Sequence, residues 1–141
     1  MAIRQLSVFL ENKPNKISQA VKAIAEADIN IRAMSLAETT DFGILRLIVS
    51  DTEKAKEVLS ADSLVTVTEV LAVEMQDESG SLAEILSALA EANINIEYMY
   101  AFTAAAQNCA YVVLRVDDNA HAEQALKAHN IETLQNADIL K

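Results

Sequence analysis

The sequence predicts an α+β fold built from two tandem copies of one small domain, and three observations carry that reading. A heptad, Ala25-Glu26-Ala27-Asp28-Ile29-Asn30-Ile31, returns 65 positions later as Ala90-Glu91-Ala92-Asn93-Ile94-Asn95-Ile96. The apolar pattern around it returns as well. Leu6, Val8 and Leu10 recur as Leu71, Val73 and Met75, and Ile17, Ala20, Val21 and Ile24 as Leu82, Ile85, Leu86 and Leu89. After a two-residue slip the offset becomes 67, with Ala55, Val58 and Leu59 returning as Ala122, Ala125 and Leu126. Within each copy, period-two segments enclose two segments of helical period. A long period read twice marks a duplicated domain, because a solenoid needs about three or more units to bury its core. The copies span 1–69 and 70–141.

In copy one, residues 3–11 alternate as a strand, with Leu6, Val8 and Leu10 on one face; Phe9 on the other implies that this second face is also partly covered. Asn12-Lys13-Pro14-Asn15 breaks the pattern. Ile17, Ala20, Val21 and Ile24 then fall at the i, i+3, i+4, i+7 spacing of an amphipathic helix that ends near Asp28. Ile29 starts a strand running to about Ala37, Glu38 to Asp41 turn, and Gly43–Val49 returns. Asp51 or Thr52 caps a short helix with Ala55, Val58 and Leu59 inward. Leu64–Glu69 closes the copy. Copy two repeats the order: strand 70–76, helix 81–92, strand 94–102, strand 110–116, helix 119–129, strand 131–136. Its hairpin, Thr103–Asn108, is two residues longer. The order βαββαβ is the ferredoxin-like arrangement, an antiparallel four-stranded sheet with both helices on one face. Leu64–Met75 reads as uninterrupted extended chain, so no linker separates the copies. Domains this small bury little surface alone, which implies that the copies pack against each other.

Composition narrows the function. The chain has 141 residues, 52% of them hydrophobic and 23% charged, with 2 Gly and 1 Pro: a globular composition with no flexible linker. A net charge of −10 argues against nucleic acid, which demands clustered Lys and Arg, and leaves a small cationic or zwitterionic ligand open. The single cysteine, Cys109, excludes an intrachain disulfide and fits a reducing, cytoplasmic setting. The start lacks the apolar core of a signal peptide, and no apolar run approaches the roughly 18 residues of a membrane span. No cofactor or metal is expected: His121 and His129 have no further ligand at metal spacing, Cys109 has no base beside it, and no phosphate loop or nucleophile elbow is present. Met34 and Met99 read as core filler. An enzyme is disfavoured, because no catalytic constellation can be named.

Two pairs of segments carry possible binding chemistry. The turns after the first strand of each copy, Glu11-Asn12-Lys13-Pro14-Asn15-Lys16 and Gln76-Asp77-Glu78-Ser79-Gly80-Ser81, place a carboxamide or carboxylate at a strand end. A residue that tolerates positive φ follows (Asn15, Gly80), then a helix N-terminus whose free N–H groups and dipole suit an anion. These are also ordinary turn and cap residues. Asn30 and Asn95 sit between isoleucines (Ile29 and Ile31, Ile94 and Ile96), so their amides face away from the core, where they serve either the local backbone or a ligand.

Taken in order, these features resemble the ACT domain, a small regulatory module attached to many enzymes of amino-acid metabolism. The resemblance covers roughly 3–69 and 70–137 as two tandem copies. It rests on Asn12-Lys13-Pro14-Asn15 with Ile29-Asn30-Ile31, and on Asp77-Glu78-Ser79-Gly80 with Ile94-Asn95-Ile96. It implies that ACT domains pair side by side through their sheets and hold a free amino acid at the shared interface, between the first turn of one copy and the second strand of the other. Asn12 and Asn30 then stand where the serine-sensing branch has its two ligand-holding carboxamides, with Asp77 and Asn95 in copy two; Lys13, Pro14, Asn15, Ile31, Ser79, Gly80 and Ile96 complete the expected site. The departures are Leu10 and Met75 where that branch has His, which argues against serine, Asn15 for the usual Gly, and Ser79 for Pro. With no catalytic domain in the sequence, the resemblance implies a stand-alone amino-acid sensor, pairing within the chain or as a homodimer. The alternative is a ligand-independent interaction module or regulatory subunit of an amino-acid-metabolism enzyme.

Overall fold

The computed structural model describes residues 3–11, 13–38, 41–76, 78–103 and 109–135. Its elements are β1 (Ile3–Glu11), α1 (Lys16–Glu26), β2 (Ile31–Glu38), β3 (Phe42–Val49), α2 (Thr52–Leu59), β4 (Leu64–Gln76), α3 (Ser81–Glu91), β5 (Ile96–Thr103), β6 (Cys109–Val116) and α4 (Asn119–Ala128). They fall into two compact units, Arg4–Thr68 and a second beginning at Glu69. The boundary lies inside β4, a strand of 13 residues, so the expected absence of a linker is a feature of the structure.

In the first unit the strands lie in the order β2-β3-β1-β4. β1 pairs antiparallel with β3, from Leu6↔Leu47 to Glu11↔Phe42, and β2 with β3 from Ile31↔Val49 to Glu38↔Gly43. One face packs on the helices: Leu6, Val8, Leu10, Leu45, Leu47 and Val49 meet Ala20 and Ile24 of α1 and Ala55 and Leu59 of α2. The opposite face is also buried at Gln5, Ser7, Ala33 and Ile48, with Gln5 Nε2 donating to Ser7 Oγ at 3.3 Å. In the second unit β4 pairs with β6 and β5 with β6, and Leu71, Val73, Val112, Leu114 and Val116 pack on Ile85, Leu89, Ala122 and Leu126. Each unit is thus an antiparallel sheet carrying two helices on one face, the ferredoxin-like arrangement.

The repeated heptad proves to be a helix terminator. Asp28 and Asn93 have φ of 60° and 58°. The Asp28 N–H donates to the Ala25 carbonyl at 3.0 Å and the Ile29 N–H to the Ile24 carbonyl at 3.1 Å; Asn93 to Ala90 and Ile94 to Leu89 repeat both bonds at 3.0 Å. This is the Schellman ending, in which a left-handed residue folds two N–H groups back onto the last helical carbonyls, and an apolar residue follows. Asn130, with φ 61°, ends α4 in the same way through Ile131 to Leu126 at 2.9 Å.

Several expectations need correction. Strand two begins at Ile31 and Ile96, not at Ile29 and Ile94, because the Ile29 and Ile94 N–H groups are committed to the helix end. The closing strand expected at 131–136 reduces, among the described residues, to one bridge between Val73 and Thr133, with the Leu134 N–H on the Ala72 carbonyl at 2.8 Å. Polar Glu132 and Gln135 stand there in place of the Val-Thr alternation of 64–68, so the segment has less to bury. Ile17 is exposed on the first turn of α1. Met34 is exposed as well, whereas Met99, on the equivalent edge strand β5, packs on the core of its unit. The longer hairpin of copy two lies outside the described residues between 103 and 109.

An L-residue in the left-handed region is strained by about 1–2 kcal/mol, which Asp and Asn tolerate better than most. Asp28→Ala is therefore expected to lower the unfolding free energy by about 1 kcal/mol, and Asp28→Gly to leave it unchanged or raised, as read from urea midpoints.

Candidate functional site

The two turns expected to bind share one backbone. The Lys13 N–H donates to the Glu11 carbonyl at 2.8 Å and the Lys16 N–H to Lys13 at 3.4 Å; Glu78 to Gln76 at 2.9 Å and Ser81 to Glu78 at 3.4 Å are their counterparts 65 residues on. Asn15 and Gly80 hold φ of 74° and 92° at the N-cap positions of α1 and α3, and neither supplies a side-chain cap. A helix start leaves its first N–H groups without intrahelical partners, so both turns present bare donors. A Cβ built on Gly80 meets nothing within 4 Å, which explains how asparagine occupies the same place in copy one. Lys13, Pro14, Asn15, Ser79 and Gly80 are all exposed, while Asn12 and Asp77 lie outside the described residues.

Charge gathers at the first turn. Lys13 Nζ lies 2.9 Å from Glu11 Oε2. That hydrogen bond, then the charges of Lys13 and Lys16, hold the Glu11 carboxyl below its ordinary value, and the Lys13 ammonium is raised by the same pairing. Leu10, Glu11, Lys13, Ile17, Leu36, Glu38 and Gly43 line a recess of about 100 Å³ between this turn and the β2–β3 hairpin.

Asn30 and Asn95 are exposed, and Ile31 and Ile96 pack half-buried on their cores. Their backbones close the sheet. The Asn30 N–H donates to Ser50 Oγ at 2.9 Å, the Ser50 N–H to the Asn30 carbonyl at 2.9 Å, and the Asp117 N–H to the Asn95 carbonyl at 3.3 Å. Within one unit these residues lie at the far end of the sheet from the turn: Ile31 pairs with Val49 while Glu11 pairs with Phe42. In the second unit Ile96 pairs with Val116 while Gln76 pairs with Cys109. The structure groups Lys13, Pro14 and Asn15 with each other, and Asn30 with Ile31, but does not bring the two groups together inside a unit.

Other reactive groups are structurally engaged. The Cys109 thiol is half-buried and free, and a hydrogen bond to Glu74, burial and the charge of Glu74 push it up, away from nucleophilic use. His129 Nε2 lies 3.1 Å from Glu91 Oε2, and at His121 it is the backbone N–H, not the ring, that donates to the N-cap carboxylate of Asp118 at 3.1 Å. Among the described residues no group of three or more His, Cys, Asp or Glu could hold a metal, and no helix is long and apolar enough to cross a membrane. Sequence reasoning missed a cavity between α1 and the turn after α2, lined among others by Lys16, Ala20, Asp62 and Leu64; the available signal was Ala20 standing opposite Ile85 in the repeat.

Two ferredoxin-like repeats, each opening on a strand–turn–helix with a left-handed cap, define a class of duplicated α+β module. A family model described as the ACT domain pair matches residues 1–141, and the chain belongs to that family. Among solved structures, protein BT0572 from Bacteroides thetaiotaomicron is 37% identical, with 100% of this chain and 97% of that one covered and a TM-score of 0.92. The regulatory subunit of aspartate kinase from Thermus thermophilus, in a ligand-free form, is 18% identical, with 90% of each chain covered and a TM-score of 0.66. The aspartokinase alpha and beta subunits share the fold at 21% identity, with 89% of this chain and 93% of that one covered and a TM-score of 0.57. Among curated proteins none matches significantly.

Because the folded Glu11 pKa is lowered, its pairing contributes above the ordinary carboxylate range and is lost as pH falls through the lowered value. An NMR titration is expected to show Glu11 protonating at lower pH in the native chain than in Lys13→Ala; coincident curves would remove the pair.

Proposed function

We propose that this chain is a regulatory, non-catalytic protein of the cytoplasm that binds a free amino acid where ACT repeats meet, within one chain or between two, and passes the signal to an enzyme of amino-acid metabolism. The observation that carries this reading is the twin turn, with a left-handed residue and an uncapped helix start in both copies. In this reading the ligand carboxylate meets those N–H groups, flanked by Asn12, Lys13, Pro14 and Asn15 in one copy and by Asp77, Ser79 and Gly80 in the other. The ammonium meets Asp77 or carbonyls at the second strand beside Asn30, Ile31, Asn95 and Ile96. Likeness to aspartate-kinase regulatory subunits supports the choice of partner enzyme.

A free amino acid of about ten heavy atoms, at roughly 0.5–0.7 kcal/mol each, binds with about 5–7 kcal/mol, a Kd near 10–200 μM. Calorimetry against the twenty amino acids is expected to find at least one ligand in that range, weakened about tenfold or more by Asn12→Ala or Asp77→Ala. Silence across the panel would overturn the proposal.

One observation favours a second reading, a ligand-independent interaction module. β2 ends the strand order of its unit, yet Met34 is 47% and Leu36 is 49% exposed, and an apolar edge strand invites pairing with another chain. On that reading Leu36→Glu is expected to reduce the mass of the complex in sedimentation, and amino acids to leave it unchanged.

A further inference from the structure

The first unit contains a cavity of about 160 Å³ between α1 and the turn that follows α2. A single water needs about 10–15 Å³ of such space, so the cavity has room for on the order of ten waters, or for a small metabolite. Its floor is apolar and buried: Leu10, Ala20 and Leu59. Lys16 and Gln19 of α1 stand on one rim and Asp62 and Ser63 of the turn on the other, with Leu64, 68% exposed, beside them.

Beside this cavity α1 carries a short side chain. Ala20 occupies the position that Ile85 fills in α3, where the isoleucine is buried against the second core. Lys16 likewise stands where α3 has Ser81. The turn after α4 carries His129, already paired with Glu91, where the turn after α2 carries Asp62. Among the described residues the side chains of Lys16, Gln19 and Asp62 make no hydrogen bond or close ion pair, while the Lys16 charge acts on Glu11, which also lines the cavity.

We propose that the cavity beside Ala20 is a second ligand site, for a small zwitterion with a short aliphatic side chain. The carboxylate meets the Lys16 ammonium and the Gln19 amide, the ammonium meets Asp62, and the aliphatic group lies over Ala20, Leu10 and Leu59. The site goes beyond the turn site, since it uses neither Asn12 nor Asp77.

The test is a two-dimensional NMR titration of the full chain with L-alanine, L-valine and L-leucine at millimolar concentration. L-Valine, with about eight heavy atoms against room for on the order of ten waters, is expected to shift the amides of Ala20, Ala23, Ser63 and Leu64 saturably. Ala20→Ile, which copies the second repeat, is expected to abolish those shifts with the fold retained by circular dichroism. Lys16→Ala and Asp62→Ala, on the exposed rim, are each expected to weaken binding about tenfold, as loss of one charge-assisted contact does. Asn12→Ala with Asp77→Ala is expected to leave these shifts intact, which separates this site from the turn site. Shifts that persist in Ala20→Ile and in both rim variants would overturn the proposal, as would saturable shifts confined to residues 13–15 and 78–80, or none with any of the three probes.

Discussion

Each repeat depends on stopping its first helix abruptly and sending the chain back beneath it. The left-handed residue does this, Asp28 in one copy and Asn93 in the other, by folding its own N–H and that of the following isoleucine onto helical carbonyls. Ile29 and Ile94 are driven into the core by the same motion, and the next strand begins two residues later. A register shift then follows in both copies, between Ile31 and Ala33 and between Ile96 and Tyr98. The extra residue lets Ile31 and Met34 both lie on the helix side while Ala33, paired with buried Ile48, faces away. The heptad is the most faithfully repeated stretch because every position in it has a backbone task, whereas the surrounding core positions need only be apolar and of similar size.

A shared backbone leaves the two copies free to diverge in side chains, and they have. The first repeat has a small residue at Ala20, which leaves its cavity open, and bare apolar residues along β2. The second fills the equivalent helix position with Ile85 and packs Met99 against its core. Leu114 and Leu126 are as fully buried there as Leu47 is in the first repeat, and Leu59 is nearly so, so the difference is not one of general packing quality. It is local, and it concentrates accessible apolar surface on residues 4–68.

The architecture was legible from the sequence because it rests on periodicity, and periodicity is a property of the chain itself. Ten elements fall close to their expected spans, and the caps at Asp51 and Asp118 accept N–H groups from Lys54 and His121. What escaped depends on neighbours remote in sequence. Ile17 has the spacing of a core residue but lines an open recess beside Leu10 and Leu36 instead. Met34 has the pattern of a buried strand residue and is exposed, although Met99, also on an edge strand, packs on its core. The cavity beside Ala20 follows from what α2 and β4 fail to place opposite a short side chain, which no window of the sequence contains. The turns at 13–15 and 78–80 were legible as shapes, since Asn and Gly advertise positive φ; Asn30 was visible only as a repeated letter, and its backbone bonds to Ser50 required the fold.

Those two turns also differ in field. The first gathers Lys13 and Lys16 around one carboxylate, Glu11, already neutralised by the lysine beside it, and the first turn of α1 carries no acid. The second carries Asp77, Glu78 and, within the first turn of α3, Glu84, with no base among residues 76–84. A helix start offers the equivalent of about half a positive charge, which the first turn reinforces and the second opposes. The two turns therefore differ in local charge, although their backbones are nearly the same. In a chain with a net charge of −10, the first turn is a local exception to the prevailing negative charge. Duplication supplied two copies of one backbone turn, and substitution at a few positions gave them opposite local charge.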